Sequence, residues 1–332
     1  MISFIELNEN HKSDWDRFVF NHPNGNFFQS SEYYLLFNED KNNEAFAYAI
    51  TDNGLIKAVI VGVIESNLFY PLSNFTRRAI IRGGPLVSDN NVDYLKLLLS
   101  EFNNLIKSRC IYSQIRNLFS TIDNKDDFQS NGFNYLPHLD ILIDLDKDEQ
   151  DIIKAISGNK RGNINKSKNK GTIFLELNDI KSVTEGINLI HSTYSRAKLP
   201  VPDSAFFVRA FEQLNPKKML KVFGAFSENK IIGVRFVLLY KELIYDWYAG
   251  SDLDFKNRYP NDFIPFNILI WGKRNGFKLF DFGGAGKPGI PYGVREHKIK
   301  FGGKLVEYGR YQKNYNKLVY NVGNYFFKIL KR

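Results

Sequence analysis

The order of secondary-structure elements legible along this chain repeats itself, and that repetition constrains the fold more than any single motif. "DWDRFVF" (14–20) opens as a short amphipathic helix, and "SSEYYLLF" (30–37) as a second one with serine at its start. "EAFAYAIT", Asp52-Asn53-Gly54 and "LIKAVIVGVIE" read as a hairpin, because an Asn-Gly turn joins two β-rich runs. "RAIIRGGPLV" follows as a strand, "VDYLKLLLSEFNNLIKS" as a helix by its apolar spacing, and "IYSQIRNL" and "HLDILIDL" as strands. Beyond residue 171 the order returns. "TIFLEL" is a strand, "SVTEGINLIHSTYSRAK" and "SAFFVRAFEQL" are helices, and strands run from "MLKVFGAF" to "IYDWYAGSD" with a turn at Glu228-Asn229-Lys230. "DFIPFNILIWGKRNG" is a helix stopping at Gly276, and "FKLFDFGG" a strand. The alternation predicts an α/β protein, and the repeat predicts a loose internal duplication. The pattern breaks at 146–171, a segment with one apolar helical face (Ile152, Ile153, Ile156) followed by a basic stretch. Domains are therefore expected at 1–145 and 146–332. The second should carry a C-terminal amphipathic helix, since Leu318, Val319, Val322, Tyr325, Phe326, Ile329 and Leu330 share one face.

Charge divides the chain at the same place. Residues 1–145 hold 12 Lys/Arg against 18 Asp/Glu, while residues 146–332 hold 33 against 18, within a total of +9. A second half at +15 is suited to a polyanionic partner, or to a solvated lysine-rich surface. Cys110 is the single cysteine, so no internal disulfide and no cysteine-rich metal site can form. The five histidines show no ligand spacing, and no metal is expected. The N-terminus turns polar too soon for a signal peptide, and no run approaches the roughly 18 apolar residues of a membrane span. A soluble, cytoplasmic protein is expected. Lys328, Lys331 and Arg332 leave peripheral contact of the C-terminal helix with anionic lipid open.

The stretch "FDFGGAGKPGIPYGVREHKIKFGG" (280–303) sets seven glycines and two prolines beside Arg295, His297, Lys298 and Lys300. Gly284 to Gly289 fit G-x-G-x-x-G, but a dinucleotide loop needs a helix to begin at the glycines, and Pro288 and Pro291 block one. A P-loop needs Ser or Thr after its lysine, and Pro288 follows Lys287.

Five blocks together resemble the FemABX-type aminoacyl transferases, a branch of the GNAT-like acyltransferases. They are "SGNKRGNINKSKNKG" (157–171), "TYSRAKLPVP" (193–202), "YDWYAGSD" (245–252), "FDFGGAG" (280–286) and "EHKIKFGGKLVEYGR" (296–310), in the family's order. The resemblance implies two tandem GNAT-like domains with mixed sheets, and transfer of an amino acid from aminoacyl-tRNA to an amine of a phosphate-bearing peptidoglycan precursor. No tightly bound cofactor is implied; the aminoacyl-tRNA is a co-substrate. The family's acyl-transfer lysine maps to Lys298, and its substrate-phosphate arginine to Arg196. The sequence departs from the family at His297, where Phe is usual, and at Phe37, where a diphosphate-binding lysine is usual.

Acyl transfer passes through an oxyanion that a fixed positive charge stabilises, and Lys298 is the candidate for that role. The glycines around it would let backbone approach a bulky substrate. Arg161 with its lysine neighbours would touch RNA phosphates, or form a solvated basic face, and Arg295 and Lys300 are further candidate substrate contacts. Asp281 would orient a lysine or amine, or cap the glycine turn. Asp246 and Asp252 flank aromatic residues and would hold a charged amine. His297 is a candidate general base, or a structural histidine. Two other functions compete with aminoacyl transfer. One is acyl-CoA-dependent N-acylation of a surface-glycan sugar, although no Gln/Arg-x-x-Gly-x-Gly/Ala loop is present to cradle CoA pyrophosphate. The other is non-catalytic binding of glycan or nucleic acid by the basic half.

Overall fold

A computed structural model describes residues 1–40, 43–66 and 76–322. Contacts divide the chain into two units, 1–138 with 307–332, and 139–306. The first contains β1 (Ile2–Glu6), α1 (Lys12–Asn21), α2 (Ser31–Asn38), β2 (Glu44–Asp52), β3 (Leu55–Glu65), β4 (Arg78–Gly83), β5 (Leu86–Val87), α3 (Val92–Ile106), β6 (Tyr112–Asn117), α4 (Lys125–Ser130) and β7 (Asn134–Leu136). The second contains β8 (Leu139–Asp144), α5 (Glu149–Ala155), α6 (Gly158–Asn169), β9 (Ile173–Glu176), α7 (Ile180–Arg196), α8 (Ser204–Leu214), β10 (Leu220–Ser227), β11 (Lys230–Tyr240), β12 (Leu243–Ser251), α9 (Pro260–Arg274), β13 (Leu279–Gly284), α10 (Gly293–Ile299) and β14 (Lys304–Glu307). The last strand, β15 (Arg310–Asn314), returns to the first sheet.

The duplication is plain in the sheets. The first runs β1-β2-β3-β4-β6-β15-β7, with β5 paired to β3, and the second runs β9-β10-β11-β12-β13-β8-β14 in the same sense. Each holds one parallel pair, β4 with β6 and β12 with β13, among antiparallel neighbours. The crossover between the parallel strands is α3 in one unit and α9 in the other, as a parallel connection requires.

Helices form where apolar spacing gives a sheet something to bury. In α3, Leu95, Leu98, Leu99, Phe102 and Ile106 recur at helical intervals and are buried against β2 and β3. Asn91 starts that helix by accepting from Asp93 and Tyr94 N–H. In α2 the capping side chain is Ser30, whose Oγ accepts from Tyr33 N–H at 3.3 Å. In α7, Val183, Gly186, Ile187 and Ile190 face β11 and β12. On the opposite face of the second sheet, Phe263, Ile264, Ile268 and Leu269 of α9 pack with Phe223, Ile232 and Val237.

The expected division at 145/146 differs from the observed one at both ends. β8, expected in the first domain, hydrogen-bonds to β13. β15, expected in the second, lies between β6 and β7. Backbone pairing decides both, and no local pattern carries that choice. Of the expected C-terminal helix, 317–322 are helical and 323–331 lie outside the described residues. Among the described residues no helix is long and apolar enough to cross a membrane.

Candidate active site

In the second unit β12 and β13 begin as a parallel pair, Leu243 to Tyr245 beside Leu279 to Asp281, and then part. β12 continues to Ser251 against β11 alone, while β13 stays with β8. Parting strands leave a wedge whose walls carry side chains from both. A register shift in β12 opposite Phe236/Val237 leaves Trp247 without a pairing partner and sets its ring against Phe206 and Phe207.

Asp246 and Asp281 lie at the parting point, one on each strand. Asp246 forms a buried ion pair with Arg235 of β11. Its Oδ1 is buried with no hydrogen-bond partner. Asp281 is 2% exposed, and its Oδ1 accepts from Gly283 N–H at 2.6 Å. Burial first, and then the neighbouring Asp140 carboxylate, push the Asp281 carboxyl up to about 8. Gly283 has φ +68°, and a Cβ there would lie 3.0 Å from the Tyr245 hydroxyl, so glycine is needed for this turn.

Lys298 reaches the same place from α10. Its Nζ donates to the Phe282 carbonyl at 2.6 Å and to the Gly284 carbonyl at 3.4 Å. Two of three ammonium protons are thus used, and the third is available to another acceptor. Burial lowers its pKa from the ordinary lysine value; Asp246 draws it back up, Arg235 presses it down, and Asp281 and Asp140 raise it. Tyr194 of α7 stands near, its hydroxyl pushed up to about 12 by burial and by Asp246.

Of the residues expected to act, the structure brings Lys298, Asp281 and Asp246 together. Arg196 lies toward the far end of β12, donating to Ser192 Oγ, Thr193 Oγ1 and the Ser251 carbonyl at 2.6–3.0 Å. Arg161 and Arg295, expected at substrate, have their guanidinium groups on backbone carbonyls. Arg161 donates to those of Ile153, Lys154 and Ile156 at the end of α5, and Arg295 to those of Ala285, Lys287 and Ile290. Lys300 is exposed at the C-terminal cap of α10. Asp252 pairs with Lys230 at 2.9 Å. The glycines of "KFGG" do not leave room for substrate. A Cβ on Gly302 would meet Ala155 backbone at 2.8 Å, and one on Gly303 would lie 2.9 Å from the Leu142 carbonyl, so both serve close packing on α5 and β8.

His297 is not isolated. Lys160 of α6 donates to its Nδ1 at 2.8 Å and forms a buried ion pair with Asp262 of α9, whose other oxygen accepts from Asn163 at 2.8 Å. Burial first and the Lys160 charge next hold His297 well below its ordinary value, so the ring is neutral and accepts through Nδ1. The network ties α6, α9 and α10 together just behind Lys298. Sequence reading missed Asp262 and Arg235, and took Lys160 only as one of the lysines beside Arg161. Only Arg235 left a signal, a lone charge inside the apolar run "IIGVRFVLLY". Among the described residues no group of His, Cys, Asp and Glu converges as a metal site.

Residues 175–298, which run from the end of β9 to Lys298, match the family described as "Acetyltransferase (GNAT) domain". The fold is similar to that of FemX, at a TM-score of 0.75 and 14% identity over 96% of this chain and 99% of that one. It is also similar to a tandem GNAT protein from the clavulanic acid biosynthesis pathway, at 0.61 and 9% over 95% and 99%. A third likeness is the C-terminal domain of a putative lysylphosphatidylglycerol synthetase from Agrobacterium fabrum, at 0.54 and 12% over 78% and 81%. No curated protein matches by sequence. Residues 175–298 thus form a GNAT-type acetyltransferase domain within the second unit. The chain's two sheets in tandem give it the FemABX type of architecture.

Proposed function

We propose that this acyltransferase moves an amino acid from aminoacyl-tRNA onto an amine of a phosphate-bearing cell-envelope precursor, with the reaction in the wedge between β12 and β13. The observation that carries this reading is Lys298, an ammonium held at the parting point by two carbonyls with one proton to spare. The acceptor nitrogen attacks the ester carbonyl, an amide bond forms, and the bond to the tRNA ribose oxygen breaks. Lys298 stabilises the oxyanion in between. The attacking amine must shed a proton, which the ionised form of Asp281 takes and passes to the ribose oxygen as it leaves. Asp246 favours the charged ammonium, and Arg235 holds the Asp246 carboxylate in place by an ion pair.

A CoA pyrophosphate needs N–H groups and positive potential at a helix N-terminus. Here the approach holds Asp252 and Asp254, the helix begins at Pro260, and its first turn carries Asp262. Asp252 and Asp262 pair with Lys230 and Lys160, and Lys256 and Arg258 share the approach, so the charges at this terminus neither favour nor exclude an anion. The match to an acetyltransferase domain favours acyl-CoA as a second reading of the donor.

Lys298→Met keeps the stem and removes the charge, and should lower turnover with aminoacyl-tRNA by about 10²–10³. Lys300→Met, on exposed lysine two residues along, is the control. Amide product would be followed with charged tRNA and, separately, acetyl-CoA at saturating donor. Equal mild losses in both variants reject the role of Lys298. Transfer from acetyl-CoA alone replaces the donor.

A further inference from the structure

The chain from Tyr308 to its end carries a charge and an apolar face that acyl transfer leaves unexplained. Residues 308–332 hold six Lys/Arg and no Asp or Glu. The helix at 317–322 is fixed to the first unit at its start. The Ile111 carbonyl accepts from the N–H groups of Tyr315 and Asn316 at 2.8 and 3.1 Å, and Asn316 Oδ1 accepts from Val319 N–H at 3.0 Å. Tyr320 then sets its ring edge-on against Tyr112 of β6, with centroids 5.3 Å apart. Leu318 and Val322 each stand two residues from Tyr320, about 200° round the helix, so they turn away from the unit that Tyr320 meets. They are 81% and 56% exposed. Being four residues apart, they share one face, and the sequence keeps that period in Tyr325, Phe326, Ile329 and Leu330.

Cations surround this face. Lys317 is exposed on the helix itself. Beside Asn316 and Val319 opens a cavity of about 620 Å³ lined by Arg77, Lys107 and Arg109, with Glu44 as the one acid among its described lining residues. Glu44 pairs with both arginines, which leaves three cations against one carboxylate. All of these groups gather where β2 begins, about 30 Å from the hairpin tip at Gly54.

The combination narrows the partner. A second copy would bring the same positive charge to the contact and be repelled. Nucleic acid supplies negative charge but no apolar layer for Leu318 and Val322. A bilayer with anionic headgroups supplies both. We propose that this end of the first unit docks on an anionic lipid surface, with Leu318 and Val322 entering the headgroup boundary and Lys317, Lys107 and the cavity arginines facing lipid phosphates. The surface lies wholly in the first unit, and the assignment stands whether or not the acyl-transfer reading of the second unit holds.

The full chain would be co-sedimented with vesicles of phosphatidylcholine alone, and of phosphatidylcholine with about one-third phosphatidylglycerol, at low and at high salt. Binding to the anionic vesicles is expected, weakening with salt, and little binding to the neutral ones. Leu318→Ser with Val322→Ser should bind about tenfold more weakly, at an unchanged Tm because both side chains are exposed. Lys107→Gln with Lys317→Gln should lose about fivefold for each charge removed. Arg17→Gln, near Gly54 at the other end of the sheet, should bind like the parent. The proposal is overturned if the parent does not sediment with anionic vesicles, or if Arg17→Gln loses as much as the lysine pair. It is also overturned if the serine pair binds as the parent does, since charge alone would then suffice. Sedimentation velocity without lipid gives the remaining outcome: a parent that dimerises and a serine pair that does not would assign the face to a second copy instead.

Discussion

Asp281 carries the main pH dependence of the candidate site. Its folded pKa of about 8 lies above the ordinary value of 3.8, so the folded state binds the extra proton between those limits. Stability from this group is therefore full below about pH 4 and is lost as pH rises to 8, at no more than about 1.4 kcal/mol per pH unit. Asp281→Asn keeps the acceptor for Gly283 N–H and removes the charge. The variant should gain stability over the parent steadily from pH 4 to 8, with no further gain above, in denaturant titrations at several pH values. A constant difference across that range would refute the raised pKa. The residue was legible in the sequence as an acid ending an apolar strand. Its raised pKa was not, because that arises from burial beside Asp140, a partner 141 positions away in the chain.

The glycine- and proline-rich loop between β13 and α10 shows what an element adds. Sequence chemistry correctly denied it a helix: residues 285–292 are non-helical and α10 begins only at Gly293. Its order comes from Arg295, which gathers three of its carbonyls. Arg295→Gln should cost on the order of 1–3 kcal/mol and speed amide exchange across 285–291, read by hydrogen-exchange mass spectrometry. Unchanged exchange with lost substrate affinity would return Arg295 to the binding role first expected of it. Helices and strands with strong periodicity, α3, α7, β2 and β3, were legible locally. β1 and β15 were not, since each is a short strand whose partner lies about 45 and 200 residues away. The basic stretch before Gly171 is the helix α6, capped by Ser157 and bound inward through Lys160. Its charge pattern alone could not reveal which lysine is buried.

Across the whole molecule, the duplication is completed by strands from elsewhere in the chain. β7 and β8 are consecutive yet join different sheets, and so do β14 and β15. Tyr311 of β15 is fully buried and stacks on Phe128 at 4.0 Å in the first unit's core. Tyr311→Ala should therefore cost about 3–5 kcal/mol and loosen β6 and β7, with β11 and α9 still protected. Loosening confined to β10–β13 would contradict the pairing of β15.

The sequence by itself determined the α/β class, the repeat, the GNAT-like resemblance and the position of Lys298, because turn residues, apolar periods and short motifs act within a few residues of one another. Tertiary structure alone decided where the sheets end, which arginines hold backbone carbonyls, that His297 is neutral against Lys160, and that Leu318 and Val322 turn away from the first unit. Those depend on strand register and burial, which are set by contacts between residues far apart in the chain.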